Sequence, residues 1–113
     1  MLSKNADHPV TVREQMRGGK GRALMAGLME PLPAHMRLFS TITLAPGCSI
    51  GYHVHENETE LFYFISGRGT VQDDDVLLEV AAGDALSTSS GHGHAVDNDG
   101  DEDLVILAAI VKD

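Results

Sequence analysis

Two histidines, His53 and His55, stand two positions apart in the segment GCSIGYHVHENETELFYFISG, Gly47 to Gly67. On an extended strand that spacing puts both imidazoles on one face, with Tyr52 and Val54 on the other. The run HENET then turns the chain, and Glu60 opens the next apolar stretch with the same parity as Phe62 and Phe64. A carboxylate among phenyl rings needs a positive partner, and a metal ion beside two imidazoles supplies one. A third imidazole comes from GDALSTSSGHGHAVDN, Gly83 to Asn98, where His94 starts a run with Val96 and Asn98 on its face. One histidine on a strand is usually structural, and an HxH pair alone is a weak signal. The pair together with Glu60 and His94 is what points to a metal. Three neutral imidazoles and one carboxylate suit one divalent transition metal per chain: Mn, Fe, Ni, Co, Cu or Zn. In six-fold coordination, two positions stay open for water or a bidentate ligand.

Groups that could move a proton near those positions are Glu56, Glu58 and His92, and we take Glu58 and His92 as the candidate catalytic pair. Each has a plainer role available, as a solvated turn residue. His92 shares the parity of His94 but sits between glycines. Ile42, Phe62, Phe64, Val96 and Met36 are candidates for an apolar wall. Arg37 or Arg68 could meet a ligand carboxylate, or form a surface ion pair.

Other motifs carry less. GGKG at 18–21 lacks the spacing and the Ser or Thr of a phosphate loop, and reads as a turn with a solvated lysine. Asn57-Glu58-Thr59 fits a glycosylation sequon but follows no secretory signal. Asp73–Asp75 is too short for a calcium loop. Cys48 has no nearby cation to activate it and reads as a small buried residue.

The elements that must position these residues are strands. Apolar or alternating runs occur at Arg37–Leu44, Ser49–Val54, Glu60–Ser66, Gly69–Gln72, Val76–Val80, Ala85–Thr88, His94–Asn98 and Leu104–Val111. Between them lie turn compositions such as APG, GRG, DDD and AAGD, where glycine and Asp bend the chain. Eight short strands at even spacing predict an all-β sandwich or barrel. Glu60–Ser66 and Leu104–Val111 are apolar on both faces, which calls for a covering layer: residues 1–36, a partner chain, or both. We expect a homodimer. Residues 1–36 hold three of the four prolines and read as an N-terminal arm or edge strands, which a dimer could exchange. Residues 37–113 read as the barrel.

Composition narrows the partners. A chain of 113 residues is one domain, and it hides about 65% of its unfolded surface on folding. Seventeen acidic against eight basic residues give a net charge of −9, with no basic stripe, so a nucleic-acid partner is excluded. The longest apolar run, Leu104–Val111, is too short for a membrane span. The N-terminus lacks an apolar signal core, and a cytoplasmic protein is expected. A single cysteine excludes an internal disulfide and a cysteine zinc cluster.

With the ligand candidates placed, the sequence resembles a small single-domain cupin. The first cupin motif is a glycine, five residues, HxH, three or four residues, Glu, six residues and a glycine. Gly47, His53, His55, Glu60 and Gly67 match it in full. Gly83, Gly91, His94 and Asn98 match the second motif, with Ser89 where proline is usual. Fifteen residues, 68–82, separate the two. The resemblance implies a double-stranded β-helix, or jelly-roll, with a metal inside it and frequent dimerisation through N-terminal strands. It assigns the ligand role to His53, His55, Glu60 and His94, and not to His92.

The expected function is a metal-binding cupin acting on a small oxygenated metabolite (an organic acid, phenol or sugar), as a dioxygenase, decarboxylase or isomerase. The alternative is a non-catalytic module that binds or senses a small acid such as oxalate.

Overall fold

A computed structural model describes all residues, 1–113, as ten strands and two single 3-10 turns. The strands are β1 (Val10–Glu14), β2 (Arg22–Gly27), β3 (Met36–Leu44), β4 (Ser49–Val54), β5 (Glu58–Ser66), β6 (Arg68–Asp73), β7 (Val76–Ala81), β8 (Ala85–Thr88), β9 (Gly93–Asp97) and β10 (Leu104–Lys112). Each of the eight expected runs falls on one of β3–β10, with only Asn98 of the run His94–Asn98 lying past the end of its strand. Two antiparallel sheets face each other as a jelly roll. The larger has the order β1-β2-β3-β10-β5-β8, the smaller β4-β9-β6-β7.

Alternation decides which side chains fill the space between the sheets. Along β10, Leu104, Ile106, Ala108 and Ile110 are buried, while the residues between them are only half-buried. On β5, Glu60, Phe62 and Phe64 point inward and Leu61, Tyr63 and Ile65 point out. Ile42, Leu44, Ile50, Val71 and Val96 complete a core to which each large side chain contributes about 1.5–3 kcal/mol.

The segment 1–36 enters the larger sheet. β2 pairs with β3 in the register Met25↔Ile42, and its Ala23 and Met25 belong to the core. β1 pairs with β2 and forms the sheet edge. These strands extend the sheet sideways, so they do not cover the outer faces of β5 and β10. Leu61, Tyr63 and Ile65 are therefore nearly half exposed.

Two residues tie the end of the barrel remote from the histidines. Gly67 has φ +85°, and a Cβ there would collide with the Asp103 carbonyl. Asn98 is fully buried, and its amide donates to the carbonyls of Leu44 (2.7 Å) and Glu102 (2.9 Å). Ser89, in the place where proline is usual, still supports the turn, because its carbonyl accepts from His92 N–H.

Candidate metal centre

The two sheets deliver four ligand atoms to one point. β4 and β9 pair so that His53 lies directly opposite His94. His55 follows the last residue of β4, held by backbone bonds to the facing turn: its N–H donates to His92 and its carbonyl accepts from Gly91. Glu60 comes from the other sheet, on β5. The Glu60 Oε1 atom is 3.0 Å from His55 Nε2 and 2.9 Å from His94 Nε2. His94 Nε2 is also 3.2 Å from the Nε2 atoms of both His53 and His55. All four potential donor atoms lie within 4.8 Å of one another.

The outer nitrogens show what this cluster lacks. His53 Nδ1 lies 2.8 Å from the Gly51 carbonyl, which can only accept, so that nitrogen carries the proton. His55 Nδ1 lies 2.7 Å from Glu58 Oε2. Glu58 is ionised, because the Arg37 guanidinium and then His55 hold its carboxyl down at about 2, so it too accepts. In the neutral rings, the Nε2 atoms of His53 and His55 are therefore bare lone pairs aimed at each other's neighbours and at a carboxylate. His94 Nδ1 meets the Thr88 hydroxyl at 2.8 Å, and one N–H on its far side could satisfy only one of these acceptors. A divalent cation satisfies all four at once, and the acceptors behind the rings fix their tautomers for it. The cluster could thus hold a metal ion. Burial also lowers the pKa of His53, which keeps that ring neutral as a ligand must be. Phe62 stacks on His94 with ring centroids 4.9 Å apart, closing the apolar side.

The cluster opens into a cavity of about 610 Å³ between the sheets, within the usual range for ligand pockets. Ile42 and Phe62 line it as the wall, whereas Phe64 and Val96 lie in the core away from it. Met36 does not reach it.

The expected proton-moving groups are placed elsewhere. Glu58 shares the inward parity of Glu60, since β5 starts two residues earlier than the apolar run suggested. It lies behind His55, gripped by Arg37 at 2.8 and 2.7 Å, and does not line the cavity. The His92 ring turns outward to Asp74 at 2.6 Å, with its side chain 55% exposed. That contact raises the His92 pKa, while the Gly93 N–H and then His92 lower that of Asp74. Glu56 is exposed in the turn. Arg68 lies away from the cavity. The cavity instead gains two residues the motifs do not flag, Arg13 and Arg17. They come from the N-terminal segment, and only the three-dimensional path of that segment brings them to the histidines.

Comparison with known proteins agrees with this architecture. Residues 40–110 match the Cupin_2 family, described as a cupin domain. An oxalate-binding protein of Thermotoga maritima is 42% identical over 98 residues, covering 85% of this chain and 81% of that protein. The crystal structure of a predicted oxalate decarboxylase from Thermotoga maritima superposes with a TM-score of 0.94 at 37% identity, covering 99% of both chains. A Cupin 2 conserved barrel domain protein from Salinispora arenicola superposes with a TM-score of 0.70 at 26% identity, covering 90% of this chain and 82% of that one. With both motifs matched and the fold shared along nearly its whole length, the chain belongs to the cupin family.

Proposed function

We propose that this cupin holds one divalent transition metal on His53, His55, Glu60 and His94 and uses it to bind a small carboxylate, of the oxalate kind, through the open coordination positions. The observation that carries the reading is the convergence of the Nε2 atoms of His53, His55 and His94 and the Glu60 carboxylate within 4.8 Å of one another, beside a cavity of about 610 Å³. When bound, the metal supplies a Lewis-acidic centre for oxygen ligands. The chain's own residues orient the rings and exclude water on the Phe62 side. The similarity to an oxalate-binding protein supports the same ligand class. Binding is favoured over turnover because Glu58 is clamped behind His55 and His92 faces Asp74, so neither stands in the cavity.

The test is elemental analysis of the purified protein, then calorimetric titration of metal-free and metal-loaded forms with oxalate, with carbon dioxide release and oxygen uptake followed in parallel. Oxalate binding that requires the metal, without turnover, is the expected result. Oxalate binding that persists without metal overturns the proposal, and turnover lost on His92→Ala or Glu58→Gln with metal retained replaces it with the enzymatic reading.

A homodimer belongs to the same proposal. It is supported by the apolar outer face of β5, where Leu61, Tyr63 and Ile65 are nearly half exposed. Sedimentation equilibrium tests it, and a monomer at all concentrations would overturn it. A cytoplasmic location is likewise proposed; the structure adds that no helix is long and apolar enough to cross a membrane.

A further inference from the structure

The loop between β1 and β2 is strapped down on β4, the strand that carries His53. Ser49 N–H donates to the Lys20 carbonyl at 2.9 Å, and Lys20 N–H donates to Ser49 Oγ at 2.9 Å. The two backbones touch at glycines: a Cβ on Gly51 would collide with the Arg17 carbonyl, and one on Gly19 with the Ser49 carbonyl. Two non-glycine residues of the strap are left-handed, Gln15 at φ 47° and Arg17 at φ 55°. Such backbone persists only where the surroundings over-determine it. Met16, between them, packs against the core and anchors the strap.

The strap sets Arg17 at the cavity. Of the five arginines in the chain, three line this one cavity: Arg13, Arg17 and Arg37. Arg37 is committed to Glu58, and Arg22 lies 3.9 Å from Glu14. Arg13 and Arg17 have no acidic partner. Their guanidinium donors are thus free at the cavity to meet an anion from solution. Between these cations and the His/Glu cluster the walls are apolar, with Met25, Ile42, Ile50, Phe62 and Ile110 among them. A two-carbon diacid on the metal would leave most of the 610 Å³ empty.

We propose that Arg17 is a specificity-determining residue, receiving the distal carboxylate of a longer diacid whose other end chelates the metal and whose carbon chain crosses the apolar wall. This rests on the metal-dependent carboxylate binding proposed above. Arg17 suits the task because a guanidinium grips a carboxylate through two parallel N–H donors.

The experiment pairs 2-oxoglutarate with 2-oxopentanoate, which has the same chelating head and chain length but ends in a methyl group. Both are titrated, with oxalate as the head-only probe, into metal-loaded wild-type protein and Arg17→Gln. Arg17 is exposed, and circular dichroism together with metal content checks that the variant folds. Wild type should prefer 2-oxoglutarate to 2-oxopentanoate by about tenfold or more, as a charge-assisted contact predicts. Arg17→Gln should abolish that preference while leaving oxalate within about twofold of wild type. A preference that survives in Arg17→Gln, or an equal weakening of all three acids, overturns the role of Arg17. If oxalate binds but neither longer acid does, this inference falls and the carboxylate-binding reading stands. If the metal-loaded wild type binds none of the three, both fall.

Discussion

Arg37 grips Glu58 with both arms of its guanidinium, Nε to Oε1 at 2.8 Å and Nη2 to Oε2 at 2.7 Å, and the same Oε2 accepts His55 Nδ1–H at 2.7 Å. One chain of contacts thus runs from the cavity lining to a candidate ligand ring. Outer groups of this kind commonly contribute 10–100-fold to metal affinity. Glu58→Ala should therefore weaken metal binding about 10–100-fold in a chelator competition, with one metal per chain still reached at saturation. Glu58→Gln keeps an acceptor oxygen and should lose less. Equal affinity in wild type and Glu58→Ala would remove Glu58 from the metal centre.

His53→Ala removes one of four candidate ligands and should lower metal content and thermal stability together. Metal that binds only the folded state stabilises it by about 2.7 kcal/mol at a hundredfold excess over Kd. Differential scanning calorimetry with and without added metal reads this directly. A full metal-induced rise in Tm for His53→Ala would refute its ligand role.

The metal-free protein should lose stability in two stages as pH falls. His53 has its pKa lowered by burial, so below 6.5 the unfolded chain takes up a proton that the folded chain refuses. Glu58 is held at about 2 rather than 4.5, so between those values the unfolded chain again binds more protons. Both differences favour unfolding as acid is added, and both vanish above pH 6.5. Urea titrations across pH should show the lower stage flattened in Glu58→Gln and the upper one in His53→Gln. Slopes identical to wild type in both variants would contradict this.

Phe62 is buried and stacks on His94, whereas Leu77 on β7 is 70% exposed. Phe62→Ala should cost about 3–5 kcal/mol in urea denaturation, since the cavity it leaves is flanked by rigid strands. Leu77→Ala should stay within about 0.5 kcal/mol of wild type. Comparable losses in the two variants would show that the space between the sheets is not the stabilising core.

The strands from β3 onward were legible because burial on one face writes a period of two into the sequence, and Gly and Asp mark each turn. The cluster of His53, His55, Glu60 and His94 was legible for the same reason, since parity alone puts each group on an inward face. Glu58 was half legible: its parity with Glu60 was visible, but its contact with Arg37 depends on where β3 lies across the sheet. The direction of the His92 ring was not legible because parity stops meaning anything in a turn, where Asp74 recruits the ring outward. Arg13 and Arg17 were hidden because their position depends on a strap that bends at Gln15 and Arg17 as well as at Gly18 and Gly21, and the two non-glycine left-handed residues carry no local signal of its path.

The strand order has a consequence for how the chain comes together during synthesis. β10, the last strand, sits at the middle of the larger sheet, between β3 and β5. A growing chain that has already made all four candidate ligands still has β3 and β5 with open edges and no partner between them. The sheet that carries Glu60 can close only after Leu104–Lys112 has emerged, so the candidate metal centre should be assembled late. Any arrest before Leu104 would leave two apolar strand edges available to other chains, which makes the final strand both the lock of the barrel and its safeguard against aggregation.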